Sequence, residues 1–208
     1  MPQVVRLPDY AGICICYEKT AHPFFEVAVL EALSRIKATR TGAELLRLIG
    51  ETTPSFKGDA TFPSGMKVMI VPVADSKVMP RGYKTLFGHH TFDQALYDAD
   101  QRPLRPKGTT GETVHIASSQ AAASKAGEGT VVTIQFTNVI NHTTKGEFAP
   151  ACVMLAHELI HAYHALSGNK KDGPDEELFT VGLGEFSGER ISENKIRGDL
   201  RLEPRKEY

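Results

Sequence analysis

The sequence has no excess of either charge. Its 24 lysines and arginines stand against 25 aspartates and glutamates, a net charge of −1, so no global field draws it to nucleic acid or to an anionic membrane. No stretch approaches the ~18 consecutive apolar residues of a membrane span. The N-terminus, Met1-Pro2-Gln3-Val4-Val5-Arg6-Leu7-Pro8, lacks the apolar core of a secretory signal. Cysteine is scarce: Cys14, Cys16 and Cys152 form an odd set without framework spacing, which argues against a disulfide scaffold and for reduced thiols in a cytosolic working place. There is no internal repeat. Gly182-Leu183-Gly184 is no phosphate loop, because no strand precedes it and the third glycine is misplaced. With 208 residues, 41% of them hydrophobic and 24% charged, the chain is an ordinary soluble globular one, long enough for a cored domain.

What the chain does carry is His157-Glu158-Leu159-Ile160-His161, inside a run over residues 151–166 that reads as one helix. The run is rich in Ala, Leu and Met, which lose little entropy in a helix. Pro150 suits the first helical position, and Gly168 can take the left-handed conformation that closes a helix. His157 and His161 are four apart, so they project from one face, one turn above the other. Two imidazoles so placed can bind one zinc ion, and Glu158 can reach a water held there. Zinc lowers the pKa of such a water towards neutrality, and the carboxylate accepts its proton during attack on a carbonyl. The bland alternative is a solvated His/Glu face. Val153, Met154, Leu155, Ile160 and Ala162 argue against it, since polar groups on so apolar a helix are costly without partners, and a metal supplies one.

A catalytic zinc usually takes three protein ligands and leaves a fourth place for water. Among the downstream carboxylates, Glu176-Glu177-Leu178-Phe179-Thr180-Val181-Gly182 is best placed. It begins 15 residues after His161, room for the helix to end, a polar loop to turn and a second helix to pack back. Helical neighbours point about 100° apart, so only one of Glu176 and Glu177 can face the metal directly. Glu185 and Glu189 are outside candidates. His164 lies seven residues from His157, about 10 Å along the axis, and reads as a polar residue at the cleft margin.

Two further stretches complete an ordered set: Ser192-Glu193-Asn194-Lys195-Ile196-Arg197 and Arg205-Lys206-Glu207-Tyr208. Together with the two motifs above, they resemble the C-terminal half of the NleD-like zinc endopeptidase effectors, bacterial proteins injected into host cells. The resemblance covers residues 150–208, and upstream it rests on a helical region near residues 23–50. The same pieces resemble the clostridial neurotoxin light chains, which carry H-E-L-I-H, E-E-L-x-T-x-G and R-x-x-Y. The resemblance implies that Glu177 is the third zinc ligand and that Glu176 supports a ligand from behind. It implies that Arg205 and Tyr208 stabilise the transition state. It also implies a protein substrate in the host cytosol, in the NleD family a stress-activated kinase cut in its activation loop. Arg197 reads as structural, pairing with an acidic neighbour to hold the tail.

Upstream, residues 23–38 are apolar at helical spacing, with Phe25, Val29, Leu33 and Ile36 on one side. Thr41-Gly42-Ala43-Glu44 reads as a capping box opening a second helix through about Gly50. Residues 52–58 have loop composition. Strands are expected at residues 12–17, where Cys14 and Cys16 share one face, and at 66–73, where Pro72 marks an edge or a strand end. Two more are expected at 112–117 and 131–137. The last of these precedes the motif helix, and by zincin analogy it lines the cleft and pairs with the substrate backbone. Residues 118–130 read as a flexible connection. Residues 77–111, with His89-His90 and a basic, Pro-rich segment, read as a long loop with one short helix at 92–98.

Sheet before the motif helix and helices after it suggest segregated elements. The expected fold is α+β and zincin-like: a small mixed sheet, the motif helix and flanking helices. One zinc metalloprotease domain spans 1–208, with an N-terminal lobe over about 1–75 and a catalytic part over about 112–208. The expected molecule is a monomer with one zinc per chain, held by His157, His161 and Glu177. It takes a protein substrate and neither nucleic acid nor membrane. Glu158 is the base, and Arg205 or Tyr208 stabilises the oxyanion. Two rivals share the motif. One is a zinc-stabilised module that binds a host protein without cutting it, which would need no Glu158. The other is the protease domain of a polymorphic secreted toxin.

Overall fold

The structure is a computed structural model. It describes residues 3–52, 65–72, 112–117, 130–138, 147–171 and 174–208. The loop and helix expected over 77–111, with His89 and His90, lie outside the described residues, as do 53–64 and 118–129.

Five strands form one mixed sheet: β1 (Gln3–Arg6), β2 (Ile13–Tyr17), β3 (Val68–Pro72), β4 (Glu112–Ala117) and β5 (Thr130–Phe136), in the order β1-β2-β3-β5-β4. The three inner strands run parallel, and β1 and β4 pair antiparallel at the two ends. Helices α1 (Phe25–Lys37) and α2 (Arg40–Glu51) connect β2 to β3. The motif helix α3 (Ala151–Ser167) follows β5, and α4 (Pro174–Val181), a 3₁₀ turn (Gly184–Gly188) and α5 (Glu193–Asp199) complete the chain. This is the expected α+β arrangement of a small mixed sheet, a motif helix and flanking helices.

Alternation along the strands separates two faces. Ile13, Ile15 and Tyr17, Val68 and Ile70, and Val132, Ile134 and Phe136 join Leu33, Ile36, Leu45, Ile49, Leu155 and Leu159 in one core. Cys14, Cys16, Met69, Thr133 and Gln135 occupy the intervening positions and are buried too, which is why β2 and β3 read as nearly continuous apolar runs, while β5 keeps an alternation of apolar and polar residues. Burial pushes the Cys14 and Cys16 thiols up to about 12, so both are inert packing groups.

Several boundaries differ from expectation for identifiable reasons. The α2 cap is Thr39, whose Oγ1 accepts from Gly42 N at 2.9 Å, while Thr41 N donates to Asp199 Oδ2 at 2.7 Å. Gly42 is the residue that lets the two helices meet, because a Cβ there would lie 2.2 Å from the Ile36 carbonyl. Pro72 ends its strand, but that strand is internal. Strand β5 does not offer its backbone to a substrate: β3 takes one side and β4 the other. Strand β1 was not foreseen; it is four residues long and mostly exposed, so no buried face repeats in its sequence. Pro150 is the residue before α3, and Gly168 closes that helix at φ 73 as expected.

Lys67 is an unusual buried cation, 7% exposed. Its ammonium caps α2, donating to the carbonyls of Ile49 at 3.1 Å, Gly50 at 2.6 Å and Thr52. Cations at a helix C-terminus are favoured by the dipole and by these otherwise orphaned acceptors. Lys67→Met keeps most of the stem and deletes the donors. It should lower stability by about 2 kcal/mol, the scale of charged hydrogen bonds, seen as a lower urea midpoint at unchanged slope. An unmoved midpoint would mean that water replaces the ammonium without loss.

Candidate metal centre

The α3 helix is buried nearly all round; His157, Glu158 and His161 are each 6–8% exposed. It packs on α1, α2 and β5, and its motif face meets α4 and α5. The helical turn brings His157 Nε2 and His161 Nε2 to 3.0 Å, and Glu177 Oε2 comes from α4 to 3.2 Å from each. The three atoms form a nearly equilateral triangle. Tetrahedral zinc with ligands at about 2.0–2.1 Å holds them roughly 3.3–3.4 Å apart, so the triangle is close to the right size. Among the described residues, His157, His161 and Glu177 are the group of His, Cys, Asp and Glu side chains that could hold a metal ion.

The far side of each imidazole fits the same reading. His157 Nδ1 lies 2.9 Å from Glu193 Oε2, and His161 Nδ1 lies 2.8 Å from Glu176 Oε1. A carboxylate only accepts, so each Nδ1 must donate, which leaves the Nε2 lone pairs to converge. Lone pairs and a carboxylate oxygen at 3 Å repel unless a cation lies among them. Burial disfavours the imidazolium, yet hydrogen bonds to Glu177 and Glu193 raise His157 to about 10, and Glu176 and Glu177 likewise raise His161.

Glu176 and Glu177 diverge, as neighbours on a helix do. Glu176 is 4% exposed. It accepts from His161, His164 at 2.9 Å, Thr180 Oγ1 at 3.3 Å and Lys171 N at 2.8 Å. Burial pushes its carboxyl up, and the two imidazoles outweigh that and hold it at about 2. His164 is not at a cleft margin: it is 2% exposed, faces Glu176 and stacks on Phe179 at 4.0 Å. Phe179 covers the apolar ring face while Glu176 satisfies the nitrogen. Glu185 and Glu189 are not in the cluster.

Sequence reasoning assigned no role to Glu193, which the structure places at the hub. It is 2% exposed; its Oε1 accepts from Arg197 Nε at 2.6 Å, and its Oε2 serves both His157 and Arg205 Nη1, the latter at 3.2 Å. Burial alone would raise this carboxyl; the His157 and Arg197 bonds and the Arg205 charge bring it to about 2. The available signal was Ser192, whose Oγ caps α5 through Lys195 N, followed by Glu193 and Arg197 four apart, an ion pair on one helical face.

The C-terminal segment lies on the metal side. Tyr208 stacks on His157 with ring centroids 6.2 Å apart and planes 2° apart. Although half of its surface is exposed, desolvation of its phenol against the site and the charge of Glu177, to which it is hydrogen-bonded, push that phenol above the ordinary value, so it stays a donor at neutral pH. Arg205 is 6% exposed. Its guanidinium bonds Glu193, approaches Glu147 Oε2 at 3.4 Å and covers the Tyr208 ring at 4.8 Å. Arg197 also donates to the Glu203 carbonyl at 3.1 Å, tying the tail to α5.

A helix with two imidazoles and an intervening carboxylate, completed by a carboxylate from the next helix, is the donor set of a metallopeptidase. The chain belongs to the Peptidase_M91 family of effector proteins, whose model matches residues 16–208. This is the effector family that the C-terminal motifs resemble. No curated protein matches the sequence. Among solved structures it is similar to the catalytic domain of Clostridium botulinum neurotoxin serotype F, at 14% identity and TM-score 0.46, over 88% of this chain and 49% of that one. It is similar also to the light chain of the same serotype, at 13% identity and TM-score 0.47, over 95% and 53%. The chain spans about half the length of these structures.

Gly182, at φ +80, brings α4 against α5, where an added Cβ would lie 2.6 Å from Ser192 Oγ and 2.8 Å from its Cβ. Gly182→Ala should cost about 1–3 kcal/mol, the range for a non-glycine residue held in this conformation, read as a lower urea midpoint. A wild-type midpoint would show that the two helices are free to separate.

Proposed function

We propose that the chain is a single-domain zinc endopeptidase that cleaves a protein inside a host cell. The observation that carries this reading is the triangle of His157 Nε2, His161 Nε2 and Glu177 Oε2, with Glu158 on the same helix. His157, His161 and Glu177 are the ligands, and Glu193 and Glu176 fix the two imidazoles as Nε2 donors. Zinc held there supplies Lewis-acid activation of a water and of the scissile carbonyl. Glu158 takes the proton from the attacking water onto its carboxylate and passes it to the departing amine. Tyr208 turns its phenol O–H from Glu177 to the oxygen that gains negative charge, an interaction stronger in the transition state than with substrate. Arg205, committed to Glu193 and stacked on Tyr208, holds that ring and adds positive charge beside it.

Among the described residues no helix is long and apolar enough to cross a membrane. The substrate class offered by the sequence resemblance is a stress-activated kinase cut in its activation loop. N-terminal sequencing of fragments made in a host-cell lysate, with a Glu158→Gln control, identifies the substrate; no Glu158-dependent fragment in any host lysate would count against the reading.

Glu158→Ala should retain about one zinc per chain and lose proteolysis by ~10²–10⁴-fold, the usual contribution of a general base. An active Glu158→Ala protein would end the reading. Metal titration separates the neighbouring glutamates. Glu177→Gln should abolish tight zinc binding, and Glu176→Gln should weaken it by about 10–100-fold, as loss of a hydrogen bond behind a ligand does. The opposite order would exchange their roles.

A further inference from the structure

Residues 201–208 form no regular helix or strand, yet they carry Arg205 and Tyr208 to the metal centre. Such a segment has no hydrogen-bond ladder to fix its register, so its geometry depends on single contacts. One of these is unusually complete. Asn194 Oδ1 accepts from the Arg205 backbone N–H at 2.7 Å, and Asn194 Nδ2 donates to the Arg205 carbonyl at 3.0 Å. The amide side chain thus pairs with both backbone groups of one residue, as a neighbouring strand would. Only an amide offers donor and acceptor side by side; aspartate lacks the donor and glutamine is one methylene too long for the same seat. Asn194 itself is held, because it is the second residue of α5, whose start is capped by Ser192. The preceding residue, Glu193, grips the Arg205 side chain. Adjacent residues therefore fix the backbone and the guanidinium of the same arginine.

We propose that Asn194 is a positioning residue for catalysis, an amide clasp that sets the register of the tail and so delivers Arg205 and Tyr208 to the site. Tyr208 lies three positions beyond the clasped residue. Slippage of Arg205 therefore carries Tyr208 off His157, even though Asn194 touches neither the metal ligands nor the reacting atoms. The inference rests on the reading of Arg205 and Tyr208 as working groups.

Asn194→Ala should leave zinc content and KM unchanged and lower kcat by about 10–100-fold, the scale of a misplacement of about 1 Å. Amide hydrogen exchange should quicken at Arg205 and the residues after it, with α3 and the sheet still protected. Asn194→Asp, which keeps the acceptor, should recover part of kcat. In an Arg205→Ala, Tyr208→Phe background, Asn194→Ala should change the remaining turnover less than about two-fold, because residues acting through one another are not additive. Wild-type kcat in Asn194→Ala overturns the inference, and so does an equal loss in both backgrounds, which would mean that Asn194 acts elsewhere. If Arg205→Ala, Tyr208→Phe itself turns over like wild type, the reading of the tail fails and takes the inference with it.

Discussion

Every part of the centre depends on the two imidazoles being held from behind by buried carboxylates. A histidine free at Nδ1 could rotate or exchange tautomers. Here Glu193 and Glu176 fix both rings so that the Nε2 atoms meet 3.0 Å apart. That requirement explains the placing of α4 and α5. Each brings a glutamate from its first turn to one imidazole, and α4 brings Glu177 to the third corner. The helix termini also suit the charges, since carboxylates near an N-terminus meet the favourable end of the helix dipole.

These polar contacts are poor evidence for stability. Taking carboxylates and guanidiniums out of water costs about as much as their pairing returns. Stability comes from the other side of the motif helix and from the sheet, where Leu155, Leu159, Ile134 and Phe136 share one core with α1 and α2. The division follows α3 around its axis: one side is apolar and anchors the helix, and the other presents His157, Glu158 and His161. A change on the first side should therefore act on folding, and a change on the second on metal and turnover.

How much of this the sequence revealed depended on whether a pattern repeats or has to be assembled. The motif helix, its glycine stop and the alternating strands were legible because each is written in consecutive residues with a fixed period. So was the divergence of Glu176 and Glu177, which follows from helical geometry alone. His164 was misread because spacing along one helix cannot show what packs on it; Phe179 and Glu176 arrive from α4 and bury it. The role of β5 was misjudged for a similar reason, since β4 precedes it in sequence but pairs outside it in the sheet. Glu193 carried the least signal of all: its partners His157 and Arg205 lie 36 and 12 residues away, and no local period connects them. The tail was the opposite case. No local period marks it, and it is the resemblance, not the composition, that pointed at Arg205 and Tyr208.

The charges of the centre supply a final constraint. Four carboxylates surround it, those of Glu158, Glu176, Glu177 and Glu193, all buried except Glu177, which is partly so. The buried guanidiniums are those of Arg197 and Arg205. Carboxylates therefore outnumber guanidiniums, the more so because Arg205 also approaches Glu147, in a setting where uncompensated charge is expensive. A divalent cation held by His157, His161 and Glu177 would offset this excess. On charge the centre suits a doubly charged ion better than a singly charged one. Arg205 belongs to the same balance. Its loss would leave Glu193 with one guanidinium fewer and weaken the hold on Tyr208, so its charge and its position serve the centre together.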